Sequence, residues 1–261
     1  MKIIAEVGSN FRDHKDLLAS VGIAKTCGAD FVKYQLISEF DLYGSGSRKY
    51  NFDPDLLRQL AIECSSHRIG LMCSAFSVEA YDIVNQHVEF HKVASSELSA
   101  ADILQRLNVY AKPVILSTGG STIAEVKRAL EYLTRCKVTL MWCVGDYPAK
   151  VIDFEKFLHF KKEFENRHKI AFSDHSIDAL NVPIMAKECG AEIIEKHVNF
   201  FSIVGPDSGH SLSRQEFYAM CGRINRTPKQ HENVIPVEFQ SVRKHKRVFN
   251  AELNRWVRPR V

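Results

Sequence analysis

Short runs of aliphatic, β-branched and aromatic residues recur along the chain, and each one closes on polar side chains. Eight of them read as strands: KIIAEVGS, DFVKYQL, GLMCSAF, FHKVASS, PVILSTGG, VTLMWCV, KIAFSDH and AEIIEKHV. Between them lie stretches whose apolar residues return at helical spacing, such as DLLASVGIAKTCG (16–28), PDLLRQLAIECSSHRIG (54–70), TIAEVKRALEYLTR (122–135) and ALNVPIMAKECG (179–190). Several end at a glycine shortly before the next strand, as a helix C-terminus prefers. Strand and helix alternating eight times predict an α/β protein of the (β/α)8 TIM-barrel class, with one barrel domain over 1–226 and a short basic extension over 227–261. The rival, a doubly wound open sheet, calls for a G-x-G-x-x-G turn after its first strand; here that turn reads GSNFRD.

A barrel of this class places its active site at the carboxyl ends of its strands, and polar residues gather there in this sequence. They include Glu6, Lys33, Gln35, Ser74, Lys92, Ser95, Glu97, Ser117 and Thr118, then Asp146 and Tyr147, Ser173 to His175, and Glu195 to His197. Side chains alternate across a strand, so Lys33 with Gln35, Ser173 with His175 and Glu195 with His197 are expected to share a face.

Composition narrows the class without changing it. With 261 residues, 45% of them hydrophobic and 25% charged, the chain has the material for a large core. No apolar run is long enough to span a bilayer, and MKIIAEVGSN lacks the features of a secretory signal. Seven cysteines, an odd number without a C-x-x-C pair, argue against a disulfide framework or zinc ribbon and for reduced thiols in the cytoplasm. The net charge of +4 is concentrated at the end, where seven Lys/Arg and one Glu fall between Ser241 and Val261. No stacked aromatic platform or helix-turn-helix accompanies that tail, which argues against a nucleic-acid partner.

Lys33 and Lys92 sit inside apolar strands, a costly placement unless an opposite charge meets them. A dianionic ligand is the simplest partner, with hydroxyls of Ser74, Ser95, Ser117 and Ser173 as neutral donors around it; structural acids pairing with each lysine are the alternative. His175 and His197 end consecutive strands and suit a shared divalent metal, with Glu6, Glu97 and Asp207 available to complete its shell or exchange protons. His67, His159 and His168 read as surface residues, and Cys73 and Cys143 as small core residues. Together these residues describe a metal-assisted enzyme acting on a phosphorylated or multiply anionic small molecule.

The ordered motifs IAEVGSN, FVKYQ, CSAF, HKVASSE, KPVILSTGG, DYPA, FSDHS, IIEKH and GPD resemble those of the sialic acid synthase family over roughly residues 2–225. That resemblance implies a (β/α)8 barrel that condenses phosphoenolpyruvate with an N-acetylated aldose such as N-acetylmannosamine, releasing phosphate and forming a 2-keto-3-deoxy sugar acid. It implies His175 and His197 as ligands of a divalent metal, Mn2+ first, with Mg2+ or Co2+ as alternatives. Lys33, Ser74, Lys92, Ser95, Ser117 and Ser173 are implied to hold phosphoenolpyruvate. Glu6, Tyr147 and Asp207 are implied to contact the sugar or a metal-bound water, and Glu97 to stand beside the reacting carbons.

The sequence departs from the family pattern in places. Asn10-Phe11 stands where relatives read N-H, Gly145-Asp146 precedes Tyr147-Pro148-Ala149 where they read S-E-Y-P-A, and Ser208-Gly209-His210 follows GPD where they continue with His or Lys. The family usually adds an antifreeze-like domain that lends an Arg across a swapped homodimer; only about 35 residues follow the barrel here, leaving Arg243, Arg247 or Arg255 as substitutes. YGSGSRKYN (43–51) reads either as a mobile lid or as a solvated connection. Two other readings stay open: a different carbon–carbon bond-forming barrel, such as a Schiff-base aldolase through Lys92, and a catalytically silent scaffold subunit.

Overall fold

All eight apolar runs form parallel strands, and they close on one another. The computed structural model describes residues 1–226 and the two strands of a hairpin, 248–250 and 255–257. The barrel strands are β1 Lys2–Glu6, β2 Phe31–Leu36, β3 Gly70–Ala75, β4 His91–Val93, β5 Val114–Ser117, β6 Val138–Cys143, β7 Lys169–Asp174 and β8 Ile193–Asn199. Each pairs with the next, and β1 pairs with β8 to complete the ring. The connections carry α1 His14–Cys27, α2 Glu39–Tyr43, α3 Leu56–Ser66, α4 Val78–Val84, α5 Ala101–Tyr110, α6 Ile123–Glu131, α7 Phe154–Phe164 and α8 Asn181–Glu188, while α9 Arg214–Arg226 follows β8 through the short β9 Leu212–Ser213. This is the (β/α)8 TIM barrel expected from the alternation. No helix among the described residues is long and apolar enough to cross a membrane.

Local chemistry sets the helix ends. Asp13 caps α1 by accepting from the backbone N–H groups of Lys15 and Asp16, and Thr122 and Glu125 form a reciprocal capping box at the start of α6. The glycine at the end of the second helical stretch has a different role from the one its position suggested. The α3 helix already stops at Ser66, and Gly70 opens β3 because a Cβ there would lie 2.2 Å from the Phe31 ring.

The interior faces of the strands change character in step. Ile4, Met72, Ile115, Met141 and Ala171 form an apolar layer inside the barrel, with Phe31, Phe90 and Ile193 packed against it. Two residues further along each strand the same face carries Glu6, Lys33, Ser74, Lys92, Ser117, Cys143, Ser173 and Glu195. The barrel therefore has a sealed apolar floor and, except at Cys143, a charged or hydroxylated storey above it. The opposite faces, including Ile3, Val32, Leu116, Phe172 and Ile194, pack under the helices in the main core.

His91, on the outer face of β4, is fully buried there. Its ring stacks on Tyr110 at 5.5 Å and its Nε2 donates to Asn85 Oδ1 at 3.1 Å. Burial, reinforced by Lys112, pushes this imidazole from 6.5 down to about 4. Between those two values the unfolded chain takes up a proton that the folded chain refuses, so stability falls as pH falls through this window. The loss reaches up to about 3 kcal/mol. His91→Gln, which keeps a donor toward Asn85, is expected to flatten the acid limb of a urea-midpoint against pH curve; an acid limb with unchanged slope would exclude His91 as its cause.

Candidate active site

At the carboxyl end of the barrel, the polar storey opens into a cavity of about 420 Å³. Of the expected site residues, Lys33, Ser74, Lys92, Ser95, Ser117, Tyr147, Ser173, His175, His197 and Asp207 line it. Glu6 and Glu97 do not. Glu6 is fully buried beneath Lys33, and Glu97, in the 3-10 turn Ser95–Glu97, is also fully buried and accepts from the Ser96 hydroxyl at 2.8 Å. Glu97 thus stands behind the cavity wall, although the resemblance implies a place beside the reacting carbons.

The lysines are met from within the protein, so the structural-acid alternative also holds. Lys33 Nζ lies 2.7 Å from Glu6 Oε2 and 3.6 Å from Glu195 Oε1, and Lys92 Nζ lies 3.5 Å from that same Glu195 oxygen. Lys92 also donates to Ser117 Oγ at 2.9 Å, and Lys33 approaches Ser74 Oγ at 3.5 Å. Burial of the two lysines is consequently no proof of a ligand.

The charge balance nevertheless favours an anion. Burial pushes the Glu6 carboxyl up to about 7 against the pull of Lys33, with Glu195 adding to the rise. Burial opposes the charge on Glu195 too, but Lys33 and Lys92 together hold that carboxyl below its ordinary value. Two ammonium groups thus face one firmly ionised carboxylate and one that is only part ionised near neutral pH, which leaves positive charge at the cavity wall. Burial lowers Lys92, resisted by Glu195 and reinforced by Lys33; an arriving dianion would relieve that strain on its charge.

His175 and His197 stand at the rim, with ring centroids 6.0 Å apart. The Nδ1 of His175 donates to the Val144 carbonyl at 2.7 Å, which fixes the tautomer and leaves the lone pair on Nε2. Ser173 Oγ has two acceptors for its one proton, His175 Nε2 at 3.2 Å and Glu195 Oε1 at 3.4 Å. Burial drives His175 down to about 3 and His197 well below the ordinary value, so both rings are neutral, as metal ligation requires. His197 Nδ1 is buried without a hydrogen-bond partner. Its donor atom converges with those of Asp207 and His210, all within 4.8 Å of one another, whereas His175 is outside this cluster. A neutral, unpartnered imidazole facing a carboxylate and a second imidazole is a donor set that fits a divalent cation.

Two further features shape the rim. Tyr147, half exposed, stacks on His175 at 4.0 Å between centroids and presents its other side outward. Asp207 Oδ2 accepts from the Ser9 backbone N–H at 2.6 Å, crossing over Gly8; a Cβ on Gly8, whose φ is +57°, would sit 2.4 Å from that oxygen. Only glycine lets the first loop pass so close to the acid.

Sequence reasoning did not single out Glu195 as a shared counter-charge, nor His210. Glu195 had a signal, its alternation with His197 on β8. In the loop 43–51, Tyr43 reaches the cavity wall, while Asn51 holds the other end by donating to the Gln35 carbonyl at 2.9 Å. Arg243 and Arg247 lie outside the described residues, as does most of the basic extension; Arg255 falls on a hairpin strand, Arg255–Val257, whose backbone course alone is described.

A closed barrel whose strand ends combine paired lysines, hydroxyls and neutral imidazoles around one cavity defines a barrel enzyme that binds an anionic substrate. Residues 40–235 match the NeuB family, and the chain belongs to that family. It is 25% identical over 281 residues to the N,N'-diacetyllegionaminic acid synthase of Campylobacter jejuni, covering 96% of this chain and 83% of that one. It is 28% identical over 256 residues to the pseudaminic acid synthase of Helicobacter pylori, covering 87% and 74%. Among solved structures, an N-acetylneuraminic acid synthetase from Leptospira borgpetersenii in complex with citrate superposes with a TM-score of 0.76 at 24% identity, covering 86% of this chain and 82% of that one.

Proposed function

We propose that the protein condenses phosphoenolpyruvate with an aldose of the N-acetylmannosamine type, forming a 2-keto-3-deoxy sugar acid and releasing phosphate. The observation that carries this reading is the pair Lys33 and Lys92, joined through Glu195 and lined by Ser74, Ser117 and Ser173 at the base of a cavity with neutral histidines at its rim. The names of the similar synthases support the same chemistry.

The lysines would bind the phosphate and carboxylate of phosphoenolpyruvate, with the serine hydroxyls as preorganised donors. Glu195 then keeps the two ammonium groups at a fixed separation and prevents their mutual repulsion. His175 and His197, with Asp207, would hold a divalent cation, Mn2+ in this proposal. When bound, such a cation supplies Lewis-acid polarisation of an aldehyde oxygen. Tyr147 offers a ring face at the mouth on which a sugar can rest. Glu6, whose carboxyl burial pushes up to about 7, accepts from Gln35 Nε2 at 2.6 Å and so holds that amide at the cavity wall.

Phosphate release from phosphoenolpyruvate, followed with and without Mn2+ against a panel of N-acetylated, unmodified and phosphorylated aldoses, tests the reading. Release that requires both the metal and one aldose is expected, and that aldose is the acceptor. Phosphoenolpyruvate turnover that ignores both would overturn it.

A further inference from the structure

The departure after the GPD motif, which reads as a mere interruption in the sequence, forms a short 3-10 turn over Ser208–His210 that starts from Asp207. A 3-10 helix has three residues per turn, so side chains at i and i+3 point the same way. Asp207 and His210 are three apart, and both line the cavity. The turn thus converts a sequence with one acid into a surface presenting an acid and an imidazole together.

The imidazole is built into the wall. His210 is 4% exposed, its ring centroid lies 4.6 Å from that of His197 and 4.8 Å from that of Tyr147, and its Nε2 stands 3.6 Å from Asp207 Oδ1. That Nε2 is buried and has no hydrogen-bond partner, and the same is true of His197 Nδ1 across the gap. Two unpartnered ring nitrogens facing one carboxylate at the edge of a polar cavity carry a desolvation cost that a shared cation would remove. Bonds of about 2.1 Å to one ion place cis donors about 3 Å apart and trans donors about 4 Å apart. The present spread of up to 4.8 Å is within reach of small side-chain rotations.

We propose that His210 is an additional ligand of the divalent cation held by His197 and Asp207, so that this chain binds its metal through a more nitrogen-rich donor set than its motif alone would supply. The inference rests on the metal-assisted reading given above, and extends it to a residue of this chain that the family resemblance does not assign. Added imidazole raises affinity most for ions late in the Irving–Williams order, so Co2+ and Zn2+ should gain more from His210 than Mn2+ or Mg2+.

The test uses the full chain stripped with a chelator and titrated with Co2+, followed by its visible ligand-field absorption, without substrates. One tight site is expected in the wild type. His210→Ala is expected to weaken Co2+ at least tenfold and to change the band shape, while Mn2+ affinity falls by a smaller factor. Melting curves in chelator check that the variant is folded, and His210→Gln separates loss of the nitrogen ligand from loss of volume. Equal Co2+ affinity and identical bands in wild type and both variants would overturn the assignment, as would a wild type that binds no Co2+. Phosphate release from phosphoenolpyruvate is measured separately, so failure of the ligand assignment and failure of the proposed reaction are read from different signals.

Discussion

His175→Ala is expected to lower phosphoenolpyruvate-dependent phosphate release by about 10³-fold or more while leaving the barrel folded. The ring is neutral, its Nδ1 proton is committed to the Val144 carbonyl, and its Nε2 lone pair is held toward the cavity. On the proposed reading His175 would help hold a cation that supplies Lewis-acid polarisation, so its loss would forfeit several kcal/mol of transition-state stabilisation, and about 4 kcal/mol corresponds to that rate loss. The fold should tolerate the change, because the Val144 carbonyl left without its donor can accept from water in the space the ring vacates. Steady-state assays at saturating Mn2+, paired with thermal melting, decide the matter. A variant retaining more than a tenth of wild-type turnover would show that His175 does not serve the chemistry.

The second large effect concerns stability. Lys196→Met is expected to destabilise the protein by about 3–5 kcal/mol, because it strands Asp174 as an uncompensated charge in the core. The two groups meet at 2.7 Å, and neither side chain has any solvent exposure. Lys196 Nζ also donates to the carbonyl of Ser176, so one ammonium group ties the end of β8 to the loop leaving β7. For a domain of this size the loss corresponds to a melting temperature lower by about 10 °C. Asp174→Asn added to Lys196→Met removes the stranded charge and should recover part of the loss. A single variant within about 1 kcal/mol of wild type would contradict this account.

These two residues also show how far the sequence could be read. The strand on which each lies was legible, because the apolar-to-polar change repeats on every strand and alternation separates Ser173 and His175 from Asp174. The partner of Asp174 was not. It depends on the register between β7 and β8, which aligns Asp174 with Lys196, and nothing local to either strand encodes that alignment. The same limit applies to Glu195, whose value as a counter-charge to both Lys33 and Lys92 appears only when three strands are placed around a closed ring. His210 escaped for another reason. Periodicity reveals long elements, and a single turn of 3-10 helix is too short to leave one. Glu97, which the resemblance implies beside the reacting carbons, is fully buried and does not line the cavity, because the 3-10 turn Ser95–Glu97 breaks the strand alternation from which a side chain's direction can be read.

The apolar layer beneath the lysines has a kinetic consequence. With Met72, Ile115 and Met141 packed in the bore and Phe31 occupying the space that Gly70 leaves open, the reaction chamber is blind at one end. The cavity lies at the other end, with Tyr147 and Tyr43 among the residues that line it. On the proposed reading, a molecule bound to Lys33 and Lys92 would lie beneath one resting on Tyr147, and the outer occupant would cover it. That reading predicts a queue, with the deeper anion first in and last out and excess of the outer reactant inhibiting by arriving early.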